Sequence, residues 1–299
     1  MAREALMCGI QIIQPLYKDY LTFIGVIFMI KLQNLHTHTK YCDGKDTPEE
    51  IILTAIEKGF TSIGFSGHSY MFYAPEHSMS LDGTEAYKDE ISLLKKQYQD
   101  KIDVFCGLEV DMYSEIDLTG YDYLIGSVHY LLCDEKYVGF DRDAETVKNI
   151  IDKYFSGSGI EYAKAYYKTL GQLPQYGNFD IIGHFDLVTK HCDNIEFFDQ
   201  NSSEYKDAAI EAAEKLAGKI PFFEVNTGAI ARRYRKRPYP SGFLLKELKH
   251  LGFGVVISSD CHDRKMLDCE FEFTNDLLKK CGFNEKYILT KKGFEPVLL

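Results

Sequence analysis

The sequence lacks a hydrophobic segment long enough to cross a membrane. Its apolar stretch near the N-terminus, residues 20–30, is only eleven residues long, whereas a spanning helix needs about 20. No small-residue cleavage site follows this stretch, as a secretory signal peptide would require. None of the eight cysteines forms a Cys-x-x-Cys pair, and a chain of this size needs no disulfide staples. We therefore expect a cytoplasmic protein with reduced thiols and no membrane contact.

Positive charge is also scarce. The chain has 34 Lys and Arg against 45 Asp and Glu, which gives a net charge of −11. This balance disfavours non-specific binding to long nucleic acids or to an anionic membrane. A local run of arginines and a lysine, residues 232–237, is the exception. Positive charge concentrated in one loop of an acidic protein favours a small anionic partner.

No linker, low-complexity segment or break in composition divides the chain. Short apolar stretches alternate about seven times with amphipathic stretches of helical period, a pattern typical of a parallel sheet covered by helices. Thr47, Pro48 and Glu50 form a helix-start signature, and the helical stretch 144–171 is weakened around Ser156. We predict one α/β barrel domain over residues 29–299, preceded by an extension, residues 1–28, that lies outside the fold.

Imidazole and carboxylate side chains recur where the predicted strands end. In a barrel of parallel strands these ends converge on one face, where active sites lie. Such donors suit Zn²⁺, Mn²⁺ or Fe²⁺, and there are enough of them for two or three ions. A carboxylate such as Glu109 can bridge two ions, and ions of this kind generate a hydrolytic nucleophile near neutral pH. The residues at the strand ends are His36, His38, His68, Glu109, His129, His184, Asp260 and His262.

Taken in order, these motifs resemble the polymerase-and-histidinol-phosphatase (PHP) family, and most closely its monofunctional histidinol phosphatases. The resemblance covers residues 29–299 and rests on His36-Thr-His38, Asp43-Gly44, Gly67-His68, Gly107-Leu-Glu109, Ser127-Val-His129, Gly183-His184 and Ser259-Asp260-Cys-His262. It implies a distorted (β/α)7 TIM-like barrel with a site for three metal ions. Some relatives have histidine where this chain has Asp43.

The resemblance also implies which residues share an ion. The first ion would be held by His36, His38, Glu109 and Asp260, the second by Glu109, His129 and His184, and the third by Asp43, His68 and His262. No ligand position of the family pattern is vacant in this chain. A retained metal site of this kind is expected to be catalytic, with Glu109 and Asp260 among the catalytic residues.

A phosphate-binding loop is the second feature that the resemblance implies. Arg232 follows Asn226 and Thr227 as an arginine does in the family, and its guanidinium can hold phosphate oxygens in a bidentate fork. Arg232 is therefore predicted to be catalytic and substrate-binding. Further substrate-binding candidates are Asn226, Arg233, Arg235 and His77, and His77 is also a candidate proton donor for the leaving group.

The implied function is hydrolysis of L-histidinol phosphate to L-histidinol and phosphate, a step of histidine biosynthesis. Three alternatives remain open from the residues alone. The first is another PHP phosphoesterase that acts on a small nucleotide or a short nucleic acid. The second is an amidohydrolase-type C–N hydrolase, which also begins with His-x-His on a barrel strand. The third is a non-catalytic module that keeps its metal for stability.

Overall fold

The computed structural model describes residues 31–299, and strands and helices alternate along this part of the chain. The predicted extension, residues 1–28, and the apolar stretch 20–30 lie outside the described residues, so the domain boundary stays a prediction. The strands are β1 (Gln33–Asn34), β2 (Ser62–Phe65), β3 (Asp103–Asp111), β4 (Tyr123–Ser127), β5 (Tyr130–Cys133), β6 (Lys136–Gly139), β7 (Ile181–Ile182), β8 (Phe222–Asn226), β9 (Gly254–Ser258), β10 (Glu285–Thr290) and β11 (Gly293–Leu298).

The helices largely follow the sequence pattern. They are α1 (Pro48–Glu57), α2 (Leu81–Gln97), α3 (Ala144–Tyr154), α4 (Gly159–Leu170), α5 (Ser203–Leu216), α6 (Gly228–Ala231), α7 (Gly242–His250) and α8 (Phe271–Lys280). Thr47 caps α1, because Glu50 N–H donates to Thr47 Oγ1 and Thr47 N–H donates to Glu50 Oε2. The helical stretch 144–171 breaks between α3 and α4, as predicted.

Seven parallel strands form a nearly closed barrel, which confirms the predicted (β/α)7 fold. Their order is β1-β2-β3-β4-β7-β8-β9, and every neighbouring pair is parallel. The ends of the sheet meet just beyond β1 and β9, where His38 N–H donates to Cys261 O at 2.8 Å and Cys261 N–H donates to His36 O at 3.0 Å. This closure draws the C-terminal ends of the first and last strands together.

The floor beneath that face of the barrel is packed with apolar side chains. Tyr123 is buried on β4, and its hydroxyl donates to the carbonyl of Leu35. Gly64 and Gly107 lie against Tyr123, since a Cβ at either position would overlap it. The ring thus takes the space that two side chains would need, and the barrel below the histidines is a filled core rather than a channel.

Two antiparallel hairpins complete the structure, and neither was fully predicted. The sequence suggests only a short strand, residues 287–289, near the C-terminus, whereas β10 and β11 pair over six residues each. The hairpin β5–β6 was not predicted. Across residues 31–299, no helix combines the length and apolar character needed to span a membrane.

Lys286 on β10 provides a test of the folding energetics away from the barrel's C-terminal face. Its side chain is buried, and burial lowers the pKa of the amine from 10.5 to about 8. Because the folded pKa lies below the unfolded one, the cost of burial is present below pH 8 and disappears as the pH rises toward 10.5. At about 1.4 kcal/mol per pKa unit, Lys286→Met should stabilise the protein by about 1 to 3 kcal/mol at pH 7.

Thermal melts at pH 7 and pH 10 would check this expectation, with Lys292→Met as the control because Lys292 is exposed on the same hairpin. The advantage of Lys286→Met over the parent protein should shrink at the higher pH. An advantage of the same size at both pH values would contradict the assignment of a buried charge.

Candidate metal centre

Six histidines and three carboxylates converge on the C-terminal face of the barrel. Most of them follow a strand directly, so the parallel arrangement of the strands brings them together. His36 and His38 share one side because side chains two apart on an extended segment point the same way. The nine residues are His36, His38, Asp43, His68, Glu109, His129, His184, Asp260 and His262.

Glu109 lies at the centre of the group, and its Oε2 atom faces three imidazoles. This oxygen is 2.9 Å from His68 Nδ1, 3.3 Å from His36 Nε2 and 3.5 Å from His38 Nε2. Glu109, His36 and His38 are almost completely buried. A buried carboxylate surrounded by imidazole nitrogens is a donor set that suits a divalent cation.

The other oxygen of Glu109 faces a second pair of imidazoles. Oε1 is 3.0 Å from His184 Nε2 and 3.4 Å from His129 Nε2, and these two nitrogens are 3.1 Å apart. The two oxygens of one carboxylate therefore face separate clusters of donors. Each cluster thus has one oxygen of Glu109 available to it, and the bridging role of this residue stays a prediction.

Asp260 extends the first cluster toward the barrel seam. Its Oδ1 atom is 3.2 Å from His38 Nε2 and 3.7 Å from His36 Nε2. The other oxygen, Oδ2, accepts a hydrogen bond of 2.8 Å from Arg232 Nη2. Asp260 therefore joins the buried histidines to the arginine predicted to bind phosphate.

Asp43 lies close to a third group of donor atoms, at the rim of the site. Its Oδ2 atom lies 3.2 Å from His262 Nε2 and 3.8 Å from His68 Nε2. Its Oδ1 atom lies 3.4 Å from His38 Nδ1. Asp43 and His262 are more exposed than the residues around Glu109 and Asp260. This third group therefore borders the open end of the site.

The donor atoms fit divalent metal ions. Within the described residues, His36 Nε2, His38 Nε2 and Glu109 Oε2 are buried and make no hydrogen bond of good geometry. Buried polar atoms of this kind are costly unless another partner satisfies them. Three groups have donor atoms within 4.8 Å of one another: His38 with Asp43, His68 and His262; His36 with His38 and Asp260; and His68 with Glu109 and His129. These groups overlap the predicted division into three ions without matching it residue for residue.

The electrostatics of the cluster favour ionised carboxylates. Burial alone would raise the pKa of Glu109, but His36, His68 and His129 hold it well below its ordinary value. Burial would lower the pKa of His129, whereas Glu109 and Asp111 raise it to about 9. The charge of each group is thus set by its oppositely charged neighbours, and the buried carboxylates remain available to cations at neutral pH.

A cavity of about 670 Å³ opens directly above the cluster. Arg232 lines it with a side chain that is 30% exposed and that donates 3.0 and 2.8 Å hydrogen bonds to Asp260 O and Oδ2. His77 also lines the cavity but is largely exposed. Both residues are therefore positioned to meet a molecule bound above the predicted ligands.

Comparison with known proteins gives this arrangement a family. The PHP domain family matches residues 34–228, which is more than half of the chain. The chain belongs to the PHP domain family. The matched segment ends before Asp260 and His262. These two residues follow β9, which the barrel places next to β8 and close to β1.

Two bacterial histidinol-phosphatases align with most of this chain and with nearly all of their own length. A histidinol-phosphatase from Bacillus subtilis is 29% identical over 252 residues, covering 76% of this chain and 92% of the relative. One from Lactococcus lactis is 26% identical over 269 residues, covering 86% and 93%.

A solved structure supports the fold. Histidinol phosphate phosphatase from Lactococcus lactis, in complex with zinc, L-histidinol and phosphate, matches with a TM-score of 0.69 at 24% identity. The match covers 89% of this chain and 99% of that chain. At this identity the likeness shows that the two chains share the PHP barrel.

Glu224 also belongs to the site, and it was not among the residues predicted from the sequence. Its carboxylate is 2.9 Å from His36 Nδ1 and accepts hydrogen bonds from His184 N–H at 2.7 Å and Asn226 Nδ2 at 2.8 Å. A partner at Nδ1 turns Nε2 of His36 toward Glu109. The available signal was an isolated acidic residue within the apolar strand β8.

Three predicted substrate-binding residues lie away from the cavity. Asn226 is buried, where its side chain bonds Glu224 and the Gly228 N–H. Arg235 is buried with its Nη1 atom 3.8 Å from Asp186 Oδ1, and Arg233 is exposed. The structure therefore brings Arg232 and His77, but not Asn226, Arg233 or Arg235, to the cavity wall.

Other polar residues line the cavity without having been predicted. Lys190 Nζ donates to Asp141 at 2.6 Å through the backbone oxygen and at 3.1 Å through Oδ2. The lysine amine also lies 4.8 Å from the centre of the Tyr234 ring. Lys190 follows His184 closely in sequence, but no spacing rule distinguishes it from the many surface lysines of the chain.

Proposed function

We propose that this PHP domain is a metal-dependent phosphomonoesterase that hydrolyses L-histidinol phosphate to L-histidinol and phosphate. The observation that carries the proposal is the placement of Glu109 among five imidazoles at the floor of a cavity lined by Arg232 and Lys190. Similarity to histidinol-phosphatases along most of the chain supports the choice of substrate. As an enzyme of histidine biosynthesis, the protein would act in the cytoplasm.

We further propose that the nine clustered residues bind two or three divalent ions, with zinc, manganese and iron as the candidates. The two oxygens of Glu109 would serve two ions, and Asp43, His68 and His262 would hold another near the rim. Such ions supply Lewis acidity, which yields a nucleophile from water near neutral pH and offsets charge on the phosphate. Zinc is favoured because the related Lactococcus lactis structure contains it.

Two cations would hold the phosphate group. Arg232 is fixed by Asp260, so its guanidinium is oriented before substrate arrives. Lys190 provides a second positive charge on the cavity wall. Hydrolysis forms a bond from a water oxygen to phosphorus and breaks the ester bond, so positive charge fixed at the phosphate favours the transition state. The leaving alkoxide then takes a proton, for which His77 remains the predicted donor.

Acidic groups on the same cavity suit the positively charged end of the substrate. Asp141 lines the wall and keeps a depressed pKa, because Lys190 and His129 outweigh the effect of its burial. Glu76 lies at the rim of the same cavity. A mononucleotide has no ammonium group to place beside these carboxylates, whereas histidinol phosphate does. The mixture of charges therefore favours an amino-alcohol phosphate over a nucleotide.

Asp141→Asn should lower kcat/KM for L-histidinol phosphate by about 10- to 100-fold, the value of a charge-assisted hydrogen bond. The same variant should change kcat/KM for p-nitrophenyl phosphate, which has no ammonium group, by less than about 3-fold. Steady-state phosphate release from both esters measures the ratio. Asp134→Asn, on the exposed turn between β5 and β6, is the control. Equal losses on both esters would indicate that Asp141 acts only by holding Lys190.

A substrate panel tests the proposal against its rivals. Metal-loaded protein should release phosphate from L-histidinol phosphate with a kcat/KM at least about 10-fold above that for any mononucleotide, since a factor of ten corresponds to about 1.4 kcal/mol. Preference for a nucleotide would instead favour the other PHP phosphoesterases. No phosphate release from any ester, with the metals bound, would favour a C–N hydrolase or a non-catalytic module.

A further inference from the structure

Asp111 connects the proposed metal centre to the barrel rim. This buried residue ends β3, two positions after Glu109. Its Oδ2 atom accepts a 3.0 Å hydrogen bond from the backbone N–H of His129 and lies 3.3 Å from Nδ1 of the same residue. The carboxylate therefore lies behind the imidazole whose Nε2 atom faces Glu109.

Tyr73, at the cavity rim, contacts the other oxygen of Asp111. Its hydroxyl donates to Asp111 Oδ1. The Tyr73 ring is stacked on Tyr137 of β6, with centroids 4.3 Å apart, and meets Tyr130 of β5 edge-on at 4.9 Å. The hairpin β5–β6 thus fixes the plane of the ring from which the hydroxyl projects.

We propose that Tyr73 is a positioning residue for the metal centre. It orients the Asp111 carboxylate, which in turn orients His129 toward Glu109 and His184. Asp111 contacts His129 through the hydrogen bond from its backbone N–H and through the 3.3 Å approach to Nδ1. A carboxylate beside the outer nitrogen of a metal-binding histidine favours one direction of the ring, and losing such a neighbour commonly costs about 10- to 100-fold in metal affinity. This inference rests on the proposed function, because it requires that His129 binds a metal ion.

The same contact couples metal binding to the order of the segment 71–79 at the cavity rim. Tyr73 belongs to the segment 71–79, whose residues Glu76 and His77 line the cavity. A metal ion that holds His129 in place also holds the position of Asp111 and hence of the Tyr73 hydroxyl. Coupling between two sites is reciprocal. The free energy by which the Tyr73 contact strengthens metal binding therefore equals the free energy by which metal binding strengthens the Tyr73 contact in the segment 71–79.

Zinc titration of the metal-free protein against a competing chelator tests the inference. Tyr73→Phe keeps the stacked ring and removes the hydroxyl, so one zinc ion should bind about 10-fold more weakly. Tyr137→Phe is the matched control, because it removes a hydroxyl from the stacked partner ring and should leave every zinc affinity unchanged. In an Asp111→Ala background, Tyr73→Phe should have no further effect, because the acceptor that links the hydroxyl to His129 is already gone.

Hydrogen exchange of the segment 71–79 provides a second readout. Zinc should slow exchange there in the parent protein and much less in Tyr73→Phe. Unchanged zinc affinities in Tyr73→Phe, or the same loss in the Asp111→Ala background, would overturn the inference while the proposed function stands. If Tyr73→Phe lowers the Tm of the metal-free protein as much as that of the zinc-bound protein, the hydroxyl has a purely structural role and the inference is overturned. A parent protein that binds neither zinc nor manganese nor iron would overturn both proposals.

Discussion

Replacing Glu109 with glutamine should lower kcat/KM for L-histidinol phosphate by at least about 10³-fold. The carboxamide has the shape of the carboxylate but lacks its charge, so five imidazoles would surround a neutral group. An amide also cannot offer two equivalent anionic oxygens to two ions. We therefore expect the variant to bind at least one metal ion fewer than the parent protein.

Elemental analysis and phosphate release, measured on the same preparations, would check both parts of this prediction. Glu115→Gln is the matched control, because Glu115 is exposed beyond the end of β3. Near-normal metal content together with near-normal turnover in Glu109→Gln would show that the cluster does not centre on this carboxylate.

Arg232→Ala should lower kcat/KM for L-histidinol phosphate by about 10²-fold, a typical loss for one donor to a developing negative charge. The arginine donates to Asp260 on the cavity wall, and its removal leaves only Lys190 and the largely exposed Arg142 as permanent cations among the described residues that line the cavity. Inhibition by inorganic phosphate should weaken at the same time, because the product presents the same oxygens.

Arg233→Ala is the internal control for this experiment, since the neighbouring arginine is exposed and does not line the cavity. Metal content must be measured as well, because Arg232 also donates to Asp260. An Arg232→Ala enzyme with unchanged KM, kcat and phosphate inhibition would remove Arg232 from the proposed phosphate site.

The position of the site could be predicted because each donor is tied to a local pattern. A histidine or acid directly after a short apolar stretch lies at the end of a strand whichever strands become its neighbours. Parallel pairing then moves all these ends to one face, and His36, Glu109 and Asp260 meet there although they are far apart in sequence. The barrel follows from the same alternation of strands and helices.

The supporting residues could not be predicted, because their roles depend on contacts between distant elements. Glu224 matters only because β8 places it behind His36, and Asp141 because Lys190 reaches it. The basic loop shows a related limit. Arg233 has a positive φ of 62° just after α6, so the chain turns and Arg232 and Arg235 face different surroundings.

The central claim is that the protein hydrolyses histidinol phosphate and that divalent ions, held by the residues at the strand ends, would be required for this activity. The most direct measurement is a zinc titration of the metal-stripped protein, with phosphate release from L-histidinol phosphate followed at each addition. Activity should be absent at the start and should require at least two equivalents of zinc, because the oxygens of Glu109 face two donor clusters. Full activity without metal or with one equivalent, or no phosphate release after saturation with zinc, manganese or iron, would contradict the account.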